Sequence, residues 1–193
     1  MTRRTSSKPR IAFIFGVIAC IAAIYLIAQS SHTRSCRCTD CPEIARRMTE
    51  ARKLFDVPEV SDAMLIAWMM METNIDPCAT PDTSSATGVL QVLESTWESP
   101  EMVRGRPKQI DGDFETVLRD PVKGIAAGLW VLSRKPGRTV WDKLVHYGPP
   151  GDYAERIRAG TAKAEALLGG KKLQGLSADE CERLLREVDR AVH

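Results

Sequence analysis

Apolar residues recur along this chain at the spacing of an α-helix, and the alternation typical of strands is scarce. Between residues 61 and 73, the i, i+3, i+4 and i+7 positions of one helical face are occupied by Leu65, Trp68, Met69 and Glu72. Ser61 precedes this run and suits an N-cap, because its hydroxyl can accept a hydrogen bond from an otherwise unpaired backbone N–H. The pattern predicts a helix over 61–73 whose last turn directs the Glu72 carboxyl toward the core.

The same spacing predicts further helices on both sides of that one. They are expected over about 43–55, ending before Val57-Pro58, from Asp120-Pro121 through Leu132, over about 140–145, from Tyr153 to about 168, and from Ser177 to about 191. Ser177 and Glu180 form the sequence of a capping box at the start of the last helix. We therefore expect a mainly helical domain over 43–168, followed by a helical extension over 169–193.

Residues 98–119 interrupt this helical pattern. They are polar and contain Gly105, Pro107 and Gly112, so we expect an exposed loop there that could border a groove. The basic residues of the segment, Arg104, Arg106 and Lys108, are expected on its solvated face.

The amino-terminal region is typical of a membrane anchor or an export signal. Residues 11–28 form an apolar run just long enough to span the hydrocarbon layer, and the basic segment 1–10 precedes it. The positive-inside rule then leaves 1–10 in the cytoplasm, makes 11–30 a transmembrane anchor in the inner membrane, and exports the rest to the periplasm. Two alternatives stay open, namely signal cleavage after Ser30 and lipidation at Cys20, although continued apolarity beyond Cys20 disfavours the second.

Composition agrees with one exported domain. The chain has 193 residues, 44% of them hydrophobic, and a formal net charge of +2. That charge gives no reason to expect a nucleic acid partner, and no nucleotide-binding loop of the G-x4-G-K type is present.

The cysteines offer two kinds of chemistry. Cys36, Cys38 and Cys41 lie in the spacer 31–42 and could bind zinc with His32, but they lack the paired spacing of dependable zinc sites. Disulfides are favoured outside the cytoplasm, and a bridge from this cluster to Cys78 or Cys181 would attach a terminus to the domain. We expect no bound metal.

Glu72 is the candidate for acid chemistry. Apolar neighbours disfavour its charged form and raise the carboxyl pKa toward neutrality, where a general acid operates. A structural salt bridge, or a helix end that frays into solvent, would also explain a glutamate here. The nearby Asp76 and Asp82 lie among prolines and are expected to form turns, so the sequence offers no obvious second catalytic acid.

The segment from Glu72 to Trp97 resembles the lytic transglycosylases of the soluble-lytic-transglycosylase and goose-lysozyme-like family, in particular the phage- and secretion-associated type. That family's signature is Glu-Ser-x-Phe-x-Pro-x-Ala followed by Gly-x-x-Gln, and its positions are matched here by Glu72, Pro77, Ala79, Gly88 and Gln91. Thr73 replaces the serine, Ile75 replaces the aromatic residue, and the spacing from Glu72 to Gly88 is one residue longer. Tyr147 and Tyr153 correspond to two downstream tyrosines, but no asparagine follows Tyr147.

The resemblance implies a lysozyme-like fold and cleavage of the bond between N-acetylmuramic acid and N-acetylglucosamine in peptidoglycan. Glu72 would serve first as acid and then as base toward the muramoyl 6-hydroxyl, giving a 1,6-anhydro sugar without a cofactor. Gly88, Gln91, Tyr147 and Tyr153 would bind the substrate. A phage, secretion or conjugation complex would be a further partner.

Three alternatives to a lytic transglycosylase remain at this point. A hydrolytic lysozyme would use the same groove but release reducing ends. A catalytically silent peptidoglycan-binding module is suggested by Thr73 and by the missing asparagine. A membrane-anchored structural subunit would depend on the cysteines more than on the groove.

Overall fold

Helices with well-defined caps make up most of the molecule. The computed structural model describes residues 38–193, and within that range the chain forms one short antiparallel sheet and nine α-helices. The elements are α1 (Cys41–Leu54), α2 (Asp62–Thr73), β1 (Ala86–Thr87), β2 (Val92–Leu93), α3 (Glu94–Trp97), α4 (Pro100–Gly105), α5 (Phe114–Arg119), α6 (Pro121–Arg134), α7 (Val140–Val145), α8 (Tyr153–Leu168) and α9 (Ala178–Val192). In the sheet, Ala86 pairs with Leu93 and Thr87 with Val92. The expectation of a mainly helical fold is confirmed.

Helix α2 lies at the centre of the core. Ser61 is its N-cap, as predicted, and accepts a hydrogen bond from the backbone N–H of Met64 at 3.1 Å. The sequence pattern indicated one buried face, but every residue over 63–70 is buried. The helix is therefore enclosed on all sides, as expected for one that is apolar around its whole circumference.

Two long helices pack against α2 and fix its position. Helix α8 contacts α2 along its length, and α9 packs against both of them. On another side of the core, α1 packs against α6. A disulfide between Cys41 and Cys181 joins the start of α1 to α9, so the carboxyl-terminal extension is attached covalently to the domain.

The predicted helix starts follow from local capping. Asp120 accepts hydrogen bonds from the N–H groups of Val122 and Lys123, and Pro121 occupies the first turn of α6. Ser177 and Glu180 form the predicted capping box of α9. Helix α1 begins at Cys41, two residues before the predicted start, because Pro42 and Glu43 both suit a first turn.

The prediction of a loop over 98–119 was wrong, although most of its residues, including Arg104 and Lys108, are exposed as expected. The segment contains α4, a 3-10 turn at Lys108–Ile110 and α5. Its apolar residues Met102, Ile110 and Leu118 are buried in the core, although the sequence pattern did not indicate this. Arg106 is not on a solvated face either: its side chain is 5% exposed and its guanidinium lies 3.7 Å from the centre of the Trp97 ring.

The predicted anchor or signal over 11–30 and the basic segment 1–10 lie outside the described residues. Within residues 38–193, no helix is long and apolar enough to span a membrane. Cys36 and His32 of the predicted cluster also lie outside this range. Of the other cysteines, Cys38 is a buried free thiol, and Cys41 and Cys78 are disulfide-bonded. No group of three or more metal-ligating side chains comes together in the described range.

Candidate active site

Glu72 occupies the last turn of α2, where the helix is terminated abruptly. Asn74 is the C-cap in the left-handed conformation, with φ of 56°, and Ile75 follows with φ of 62°. The N–H of Asn74 still donates to the carbonyl of Met70, and that of Ile75 donates to the carbonyl of Met69. A β-branched residue at positive φ is unusual and costs energy, so the chain accepts local strain where α2 ends just after Glu72, and the Ile75 side chain stays in the core.

A chain of hydrogen bonds connects Glu72 to two aromatic side chains. The indole N–H of Trp68 donates to the Tyr153 hydroxyl at 2.9 Å, and that hydroxyl donates a short hydrogen bond to Oε1 of Glu72. A phenol has only one hydrogen to donate. Because Trp68 supplies a hydrogen to the Tyr153 oxygen, the hydrogen of Tyr153 is directed to Glu72. Only Oε1 is held in this way.

Burial decides the protonation of Glu72. Removal from water raises its pKa from 4.5 to about 7, although the hydrogen bonds from Tyr153 and Trp68 act in the opposite direction by favouring the ionised form. The side chain nevertheless keeps part of its surface open to solvent. A carboxyl that is half protonated near neutral pH and still accessible has the two properties a general acid requires. The alternative of a structural salt bridge is not what the structure shows, since Glu72 forms no ion pair with residues 38–193.

The two tyrosines predicted to bind substrate have partners within the protein. Tyr153 is 4% exposed, and its hydroxyl is engaged by Glu72 and Trp68. Tyr147 packs edge-on against Trp68, with ring centres 4.7 Å apart, and its hydroxyl donates to the carbonyl of Leu90 at 2.8 Å. Burial, reinforced by the nearby Glu72 charge, raises the pKa of both phenols and keeps them protonated. Both therefore position the acid and its surroundings, and direct contact with substrate stays a prediction.

Gly148 is a further site residue, and no local sequence pattern indicates its role. A Cβ atom added at this position would lie 2.5 Å from the ring of Tyr153. Only a glycine therefore allows the 147–153 turn to lie against that ring. Trp68 was likewise assigned only to the helical face, although its spacing of four residues from Glu72 already places both side chains on one side of α2.

Gly88 and Gln91 form a tight turn beside the end of α2. Gly88 has φ of 80°, and a Cβ there would lie 2.2 Å from the carbonyl oxygen of Leu118. The glycine therefore allows the 88–91 turn to lie close to the backbone at Leu118. The Gln91 side chain donates from Nε2 to the carbonyls of Ala79, at 3.1 Å, and Gly88, at 2.9 Å. Two carbonyl neighbours fix the orientation of this amide and leave its oxygen for another donor.

Thr73 couples this turn to the helix that carries Glu72. Its hydroxyl donates to the carbonyl of Val89 at 3.0 Å and accepts from the backbone N–H of Asp76. The Thr73 hydroxyl thus links the 88–91 turn to the end of α2.

The acids nearest in sequence form turns or lie in solvent. Asp76 accepts a hydrogen bond from the N–H of Cys78 at 2.9 Å, as expected for a turn former, and Asp82 is exposed. Among residues 38–193, no carboxylate contributes to the raised pKa of Glu72. Within the described residues, the site therefore centres on a single acid whose Oε1 accepts a hydrogen bond from Tyr153.

Comparison of the chain with known protein families, with curated proteins and with solved structures gives no match in any of the three.

Proposed function

We propose that this protein is a peptidoglycan lytic transglycosylase in which Glu72 supplies both proton transfers. The observation that carries the proposal concerns the Glu72 carboxyl. It is accessible, its pKa is raised, and its Oε1 accepts a hydrogen bond from Tyr153. The glutamate-to-glutamine motif that starts at this residue is an independent argument from the sequence. Together they favour cleavage of a glycosidic bond over a purely structural role.

In the first step, protonated Glu72 donates its hydrogen to the oxygen that links N-acetylmuramic acid to the next N-acetylglucosamine. We assign this proton to Oε2, because Oε1 accepts the hydrogen bond from Tyr153. The bond from the muramoyl C1 to that oxygen breaks, and positive charge develops on the sugar ring. The Tyr153 hydrogen bond stabilises the carboxylate that Glu72 becomes.

In the second step, the Glu72 carboxylate removes the hydrogen of the muramoyl 6-hydroxyl while the oxygen of this hydroxyl forms a bond to C1 of the same sugar. The product is a 1,6-anhydromuramoyl end, the second product is an N-acetylglucosamine with a free 4-hydroxyl, and Glu72 is again protonated. No water is consumed. One acid suffices because the internal hydroxyl replaces the water or the second carboxylate of a hydrolase.

The 88–91 turn is the part of the protein best suited to hold the sugar beside Glu72. Thr73 fixes it to the helix end, and the Gln91 amide nitrogen is already used within the turn. Its oxygen is then the acceptor for a sugar hydroxyl or acetamido N–H. We expect this contact to orient the substrate without taking part in proton transfer.

We also propose a lysozyme-like arrangement and a location outside the cytoplasm, with an anchor or a signal at 11–30. The Cys41–Cys181 disulfide and the bonded Cys78 support an oxidising compartment. Local opening of the wall for a phage, secretion or conjugation complex would fit an anchored enzyme of this kind.

The test is digestion of purified peptidoglycan by the full-length protein, with the soluble fragments analysed by mass spectrometry. The proposal predicts muropeptides one water lighter than their hydrolysed counterparts. Glu72→Gln should abolish their release, while the exposed Glu165→Gln on α8 should leave it intact. Fragments with reducing ends would instead identify a hydrolytic lysozyme, and release that persists in Glu72→Gln would contradict the proposed role of Glu72.

A further inference from the structure

A polar groove of about 380 Å³ lies between the α3–α4 region and the end of α6. Three hydroxyl groups line one side of it, from Ser95, Thr96 and Ser99. Met102 and Val131 contribute apolar surface and are themselves buried in the core. Hydroxyl groups beside a small apolar surface are typical of sites that bind polar ligands such as sugars.

Two adjacent cations make the far side of this groove positive. Arg134 and Lys135 both line it, and neither forms an ion pair with any residue in the described part of the chain. Partial burial also lowers the pKa of Lys135. Glu101 also lines the groove but makes no ion pair with either cation. The local balance therefore favours an anionic ligand.

Lys135 lines this groove and also lies near a tyrosine of the candidate active site. Its Nζ lies 5.8 Å from the centre of the Tyr147 ring, and the Glu72 charge acts on the same tyrosine. Glu72 does not itself line the groove. Tyr147 is thus the residue that the groove and the surroundings of Glu72 have in common, as expected for neighbouring parts of one extended binding surface.

We infer that Arg134 and Lys135 form a subsite for a carboxylate carried by the glycan strand, either the lactyl carboxyl of N-acetylmuramic acid or a carboxyl of its peptide stem. The inference rests on the proposed function, since it assigns this carboxylate to the same substrate. The groove would make the protein prefer muramoyl-containing strands over neutral polymers of N-acetylglucosamine. The hydroxyl groups at 95–99 would contact the sugar that bears the acid.

Direct binding tests the subsite without depending on catalysis. Full-length protein in the Glu72→Gln background would be titrated with three soluble probes by calorimetry. They are a neutral N-acetylglucosamine tetramer, a peptide-free muramoyl tetrasaccharide, and the same tetrasaccharide with its peptide stems. The Arg134→Gln/Lys135→Met double variant removes both charges but keeps unbranched side chains at both positions, and the exposed Arg138→Gln, outside the groove, is the matched control.

We expect the double variant to lose about tenfold or more in affinity for a muramoyl probe, as for the loss of a hydrogen bond to a charged group, and to bind the neutral tetramer unchanged. A loss for the peptide-free probe would identify the lactyl carboxyl, and a loss confined to the peptide-bearing probe would identify the stem. Unchanged muramoyl affinity, an equal loss for the neutral tetramer, or no muramoyl binding by the parent protein would overturn the inference. Because these titrations do not involve turnover, they stay informative even if Glu72 is not the catalytic acid.

Discussion

The hydroxyl of Tyr153 donates a hydrogen bond to Oε1 of Glu72, across 81 residues of sequence. Helix α8 begins at Tyr153 and packs against α2, so the contact between these two helices sets the position of the acid. The indole of Trp68 determines the direction in which Tyr153 donates. The hydrogen bond from Tyr153 therefore fixes the orientation of Glu72, while burial raises its pKa.

Replacing Glu72 by glutamine should stabilise the protein at alkaline pH. The carboxyl titrates near 4.5 in the unfolded chain and near 7 in the folded protein. Below pH 4.5 the folded and unfolded states both hold the proton, so the free energy of unfolding is not reduced. Between pH 4.5 and 7 only the unfolded chain releases the proton, so the fold is progressively destabilised. Glu72→Gln should therefore gain about 1 to 3 kcal/mol in unfolding free energy at pH 8.

Urea denaturation at pH 4 and pH 8 measures this difference. The gain should be small at pH 4, and the exposed Glu165→Gln should show no comparable dependence. Equal effects of Glu72→Gln at both values would mean that the carboxyl is not held neutral by the fold.

Removing the Tyr153 hydroxyl should slow turnover and move its pH dependence. In Tyr153→Phe the carboxylate formed in the first step loses a charge-assisted hydrogen bond, so we expect activity on peptidoglycan to fall about tenfold or more. That bond also lowers the pKa of Glu72, so its loss raises the pKa and moves the alkaline decline of activity to higher pH. Rate profiles from pH 5 to pH 9 check both effects. A fall in rate without any shift of the alkaline limb would indicate that Tyr153 has only a packing role.

An added methyl group at Gly148 should displace Tyr153. Because a Cβ at this position would lie 2.5 Å from the tyrosine ring, Gly148→Ala must shift the ring or the 147–153 turn, at a cost of about 1 to 3 kcal/mol. We expect activity to fall more than stability alone explains, since Glu72 loses its anchor. Gly175→Ala is the control, because no atom lies within 4 Å of the added methyl there. Thermal unfolding together with peptidoglycan release would separate the two effects, and full activity of Gly148→Ala would contradict this role of the glycine.

Loss of the Cys41–Cys181 disulfide should destabilise the whole domain. The bridge closes a segment of 140 residues, and the entropy it removes from the unfolded chain corresponds to about 2 to 5 kcal/mol. The double variant Cys41→Ala/Cys181→Ala should therefore unfold at clearly lower urea concentration. Replacement of the free thiol in Cys38→Ala is the comparison, and a similar loss in that variant would show that packing around α1 matters more than the covalent link.

Several elements could be predicted from the sequence because their signals are local. Ser61, Asp120-Pro121 and the Ser177–Glu180 pair mark helix starts through contacts within a few residues, and each was found where expected. The raised pKa of Glu72 could also be predicted, since a lone acid among apolar residues is anomalous at its own position.

What the sequence did not reveal depends on contacts between distant segments. The helices within 98–119 are too short to show a period in the sequence, and the few buried residues of this segment depend on packing against α6. The proximity of Tyr153 to Glu72, of Gly88 to Leu118 and of Gly148 to the Tyr153 ring follows from tertiary structure alone. No local pattern encodes these contacts.

The most direct test of the central claim is titration of the Glu72 carboxyl itself by carbon-13 NMR. The full-length protein would be labelled at glutamate side chains, and Glu72→Gln would assign the signal by its absence. We predict a pKa of about 7 for Glu72 in the folded protein. A value near 4.5, that of an ordinary solvated glutamate, would contradict a neutral, hydrogen-bonded acid at this position.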